Sequence, residues 1–178
     1  MTSLLNLVET DNAQGAVKAL YEQISQAFGR IPNAMKLHSL SPELMERQFG
    51  YIGYFMEHSG RSPKFHTLMR LLVSEDKGCE YCISLNTGML LSDGMTMEEV
   101  EAIKKDPSQV PLEADERALL VYVLKATHAP ASTSKEDVTR LRELGFSDKD
   151  IFEAVHYGAN MVMVDILFET FQLENDEM

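Results

Sequence analysis

The stretch "KGCEYCISLNTG", Lys77 to Gly88, holds both cysteines of the chain, Cys79 and Cys82, three positions apart. It lies where one helix signal stops and the next begins. Gly78 is the residue type preferred just past a helix end, and residues 79–93 carry the following helix, with Gly94 to close it. Cys79 therefore falls at or near a helix start. Residues three apart on a helix share a face, with Cβ atoms about 5–6 Å apart, so the two sulfurs can bond after small adjustments. A thiol at a helix N-terminus also meets the positive end of the dipole and unpaired N–H groups, which favour thiolate. Lys77 adds to that effect, whereas Glu75, Asp76 and Glu80 oppose it.

Four uses of the pair compete. Two small side chains buried in a core is the simplest. Two cysteines placed at random in 178 residues would stand three apart roughly once in ninety trials, which favours a motif over coincidence. Zinc needs four ligands for a closed site, but the sequence has no second cysteine pair, and His38, His58, His66, His128 and His156 are scattered. A structural staple fits poorly, because a disulfide closing so short a loop constrains the unfolded chain little. If the pair oxidises, the oxidation is the function.

The setting agrees with that chemistry. The chain is 44% hydrophobic and 25% charged, long enough for one substantial core, and a single domain over 1–178 is expected. A net charge of −12 disfavours nucleic acid and anionic membrane surfaces as partners. "MTSLLNLVETDNAQ" has neither a basic start nor a sustained apolar core, and no run of about 18 apolar residues suggests a membrane span. A cytoplasmic protein is expected, where cysteines remain reduced unless they act.

Helix punctuation runs through the rest of the chain. "DNAQGAVKALYEQISQAF" spaces Ala13, Val17, Leu20, Ile24 and Phe28 by three and four, with Asp11 and Asn12 as possible caps and Gly29 as a stop. "SPELMERQFGYIGYFMEH" and "SPKFHTLMRLLVSEDKG" each open with a capping Ser and a Pro at the first helical position. "TMEEVEAIKK", "EADERALLVYVLKATHA", "TSKEDVTRLREL" and "SDKDIFEAVHYGANMVMVDILFETFQLE" supply further helices, and no segment reads as a strand. "GMTMEEV" and "GFSDKDI" echo one another: Thr96 with Glu99, and Ser147 with Asp150, can each form a capping box. Local capping explains the echo, and so does a duplicated helical unit. The architecture is an α-helical bundle of about seven to eight helices.

"GCEYCISLNTG", with the Pro63-to-Ser74 helix before it and "MTMEEVEAI" after it, resembles the carboxymuconolactone decarboxylase family, in its alkylhydroperoxidase D-like branch. The segment "FGRIPNAMKLHSLSPELMERQFGYIGYFM" is similar to the peroxidase-related subgroup of that branch. The family pattern is Glu, eleven residues, Cys-x-x-Cys, three residues, His. Here Cys79, Tyr81 and Cys82 match, while the Glu position is Thr67 and the His position is Asn86.

The resemblance implies an all-helical fold, assembly into homotrimers or homohexamers, and a dithiol that cycles with a disulfide while reducing organic or hydrogen peroxides. It makes Cys82 the attacking thiol and Cys79 the resolving one. No bound cofactor is expected; electrons would come from an external dithiol, a peroxiredoxin or a lipoyl-type donor. Neither Thr67 nor Asn86 titrates near neutral pH, so the usual proton relay is interrupted, although each can position a thiol or a water. His156, one turn from Asn160 and beside a Gly158 that lets another helix approach closely, is more often the kind of residue that sits satisfied in a core, and is also a candidate substitute base. A lactone decarboxylase-like lyase, or a ligand-binding member with incidental thiols, is the alternative within the fold; a module that serves only assembly is another.

Overall fold

Punctuation residues set where the helices start and stop. A computed structural model describes residues 2–176, which are all-α: nine helices, three short 3-10 turns and no strand among the described residues. The helices are α1 (Gly15–Phe28), α2 (Asn33–His38), α3 (Pro42–His58), α4 (Pro63–Lys77), α5 (Glu80–Ser92), α6 (Met97–Lys105), α7 (Ala114–His128), α8 (Lys135–Glu143) and α9 (Asp148–Thr170). Thr96 with Glu99 and Ser134 with Asp137 form full capping boxes. Ser147 and Asp150 exchange the same pair of bonds at the start of α9.

Two details differ from the sequence reading. Asp11 and Asn12 do not cap α1; they lie in a 3-10 turn, and α1 begins after Gln14 without a side-chain cap. The chain turns into α1 at its first residue, Gly15, whose φ of 54° suits glycine. The additional helix is α2, six residues following Pro32, too short to show a periodic pattern.

The chain forms two compact units: described residues up to His58 with those from Phe168 onward, and Ser59–Leu167. In the first, Val17, Leu20, Tyr21 and Ile24 of α1 form a core with Met35 and Met45, flanked by Phe28 and Phe49. Asn33 ties this unit to its own C-terminal segment, its amide N–H donating to Asp176 and its side chain to the Glu174 carbonyl.

In the second unit α4 packs on α5 and α7 and is almost wholly interior: Phe65, Leu68, Met69, Leu71 and Val73 are fully buried. Most of α9 belongs here. By length and composition α9 is apolar enough to cross a membrane, and 44% of its most apolar window is buried inside the protein. A β-carbon at Gly158 would lie 2.5 Å from Val123 and 3.1 Å from Thr127. The close helix approach expected at this glycine is therefore made, and the partner is α7.

Candidate active site

Helix ends place the cysteines. Ser62 Oγ accepts the Phe65 N–H at 3.0 Å and starts α4. Gly78, at φ 74°, ends it, so the chain turns sharply into α5. Cys79 is the N-cap of α5, with extended backbone, and its Sγ accepts the Cys82 N–H at 3.4 Å. Both thiols are free and buried, Cys79 at 0% and Cys82 at 3% exposure.

One group beside them has no counterpart in the sequence reading. Asp165 of α9 is 1% exposed, faces Cys82, and receives the Ser74 hydroxyl on Oδ1 at 2.9 Å. Ligand atoms of Cys79, Cys82 and Asp165 all lie within 4.8 Å of one another. The hydrogen bond with Cys79, burial and the facing carboxylate together hold the Cys82 thiol far above the ordinary thiol range. The helix N-terminus is thus overridden at Cys82, which stays protonated. The sequence signal for Asp165 was a single acid inside the apolar run "NMVMVDILF".

Thr67 and Asn86 meet on the other side of the motif through Arg70. Arg70 Nε donates to Asn86 Oδ1 at 2.7 Å, one terminal nitrogen to Thr67 Oγ1 at 3.1 Å and the other to Tyr157 Oη at 3.0 Å. Asn86 Nδ2 donates to the Cys82 carbonyl at 2.8 Å, while Thr67 donates back to the Pro63 carbonyl. Neither side chain is directed to a sulfur by these bonds. His66, next to Thr67, stacks edge-on against Tyr157 and lies 2.6 Å from Ser59 Oγ. Burial, followed by the charges of Arg70 and Arg61, lowers its pKa to about 4, so it is neutral at physiological pH.

His156 is placed elsewhere. It is exposed on α9, against Phe152, and Asp165 lies nine residues on, which at about 100° per residue is the opposite face of the helix. The face with Tyr157, Met161 and Asp165 turns inward; the face with Phe152, His156, Met163 and Ile166 turns outward.

Chemically the cluster offers two thiols that can join, a carboxylate able to exchange a proton with one of them, and three donors of the kind a thiophilic divalent ion accepts, where a closed zinc site takes four.

No protein-family model matches the chain, and no curated protein matches it. Solved structures do. A peroxidase-related protein from Ralstonia eutropha, described as an alkylhydroperoxidase AhpD core, superposes with a TM-score of 0.85 at 17% identity, over 99% of this chain and 94% of that one. A peroxidase-related protein from Silicibacter gives 0.85 at 20% identity, covering 98% and 92%. A protein of unknown function from Agrobacterium tumefaciens gives 0.65 at 21%, covering 79% and 96%. The chain therefore has the fold of the alkylhydroperoxidase AhpD core.

Proposed function

We propose that the protein is a thiol-dependent peroxidase, reducing organic or hydrogen peroxides by cycling Cys79 and Cys82 between dithiol and disulfide. The observation that carries this reading is the buried pair itself: two free thiols at one helix start, close enough to join, beside a carboxylate. Cys82 attacks the peroxide and becomes a sulfenic acid as an alcohol or water leaves. Cys79 then displaces the hydroxyl as water and closes the disulfide. An external dithiol, a peroxiredoxin or a lipoyl-type protein returns two electrons and two protons. The reducing cytoplasm is the compartment that supplies such donors.

The fold likeness to peroxidase-related proteins supports the reading. Peroxide consumption by the purified protein with a small dithiol is the test. Turnover with the dithiol present, and loss of both thiols within one chain when peroxide is added without it, are expected; no peroxide consumption would sink the reading.

Assembly into a homotrimer or homohexamer belongs to the same proposal. Phe152, Met163 and Ile166, at 67%, 44% and 59% exposure, form with His156 an outward stripe on α9 suited to burial against another copy. A light-scattering mass of one chain at micromolar concentration would rule it out.

A further inference from the structure

We propose that Asp165 is the proton acceptor for Cys82, supplying from α9 the proton transfer that Thr67 and Asn86 cannot. The inference rests on the peroxide-reducing reading and assigns that site its missing base. Thr67 and Asn86 have no titratable group to offer near neutral pH, and both are held by Arg70. Asp165 holds a carboxylate oxygen within 4.8 Å of the reacting sulfur, and Ser74, itself fully buried, fixes its orientation from α4. A carboxylate set into the core of an apolar helix is costly to bury where a leucine would pack freely. The groups facing Cys82 from the neighbouring helices are Cys79 at the start of α5, Asp165 on α9 and, beyond Asn86, Arg70 on α4. Of these only Asp165 is a carboxylate.

The step balances as follows. Cys82 Sγ attacks the hydroxyl oxygen of the peroxide, the S–O bond forms as the O–O bond breaks, and the thiol proton passes to Asp165. Asp165 gives that proton to the departing alkoxide, which leaves as an alcohol, and is again a carboxylate. Sulfur is oxidised to the sulfenic acid and the peroxide is reduced. A base beside the thiol matters here because Cys82 does not ionise by itself near neutral pH.

The test is single-turnover reaction of the reduced protein with hydrogen peroxide across pH 5–9, for wild type, Asp165→Asn, Asp165→Glu and Ser74→Ala, with circular dichroism and melting curves alongside. Asp165→Asn should slow the Cys82 step by about 10²–10⁴-fold and abolish the acid limb of the wild-type pH profile. Asp165→Glu should regain part of the rate together with that limb. Ser74→Ala, which keeps the carboxylate and loosens it, should slow the step less; it carries the test if Asp165→Asn does not fold. A folded Asp165→Asn protein with the wild-type rate and profile would overturn the assignment, as would an unaffected Ser74→Ala where that variant carries the test. Absence of peroxide reaction in wild type would instead remove the functional reading beneath it.

Discussion

Two polar layers flank the cysteine motif, built from the same three helices. In one, Arg70 of α4, Asn86 of α5 and Tyr157 of α9 meet around a guanidinium. In the other, Ser74 of α4, Cys82 of α5 and Asp165 of α9 meet around a carboxylate and two sulfurs. Each helix contributes both layers from one face: Arg70 and Ser74 are four residues apart, as are Cys82 and Asn86, while Tyr157 and Asp165 are eight. The first layer has a permanent cation whose donors are directed to fixed acceptors. The second has protons that can move. On the proposed mechanism the same scaffold thus separates holding from reacting.

The sharpest way to break this comparison is to remove a group from each layer and read both rate and stability. Cys82→Ser should abolish peroxide reduction while leaving the melting temperature within a few degrees, and Cys79→Ser should allow one attack and leave the sulfenic acid unresolved. Full turnover by Cys82→Ser would erase the reacting layer. Arg70→Met should do the opposite: stability falls by about 3 kcal/mol, because Asn86 and Tyr157 lose a charged partner inside the protein, while the folded fraction keeps its chemistry within about tenfold. A folded, fully stable and inactive Arg70→Met would merge the two layers into one machine.

Acid gives a finer measurement. His66 has a folded pKa of about 4 against an unfolded value near 6.5, so between these the unfolded chain binds the extra proton. Its contribution is present above pH 6.5 and is lost as pH falls towards 4, by about 3 kcal/mol at most. His66→Gln should flatten that part of the stability profile. Because Arg70 is one cause of the depression, Arg70→Met should flatten it partly. Chemical denaturation at several pH values checks both.

Apart from α2 and the start of α1, the helices and their starts were legible in the sequence because capping is local chemistry. Ser62, Thr96 and Ser147 each start the helix expected of them, and Gly78 and Gly29 end theirs. The cysteines were legible for the same reason, since a helix start and a three-residue spacing need no tertiary information. Asp165 was not, because its meaning lies in a sulfur 83 positions earlier in the chain. Arg70 escaped notice as one cation in an amphipathic-looking helix, although it joins the two positions, Thr67 and Asn86, that departed from the family pattern. His156 was attractive by type and by its neighbour Gly158, yet helical phase turns it outward while Gly158 faces α7.

Cys79 is at once half of the thiol pair and the cap of α5, and this dual duty makes the backbone a reporter. The Cys82 amide proton points at the Cys79 sulfur. When that sulfur enters a disulfide it becomes a poorer acceptor, so the amide resonance should move upfield. One nitrogen–proton cross-peak, followed in an unmodified sample, would then track the redox state of the protein in real time.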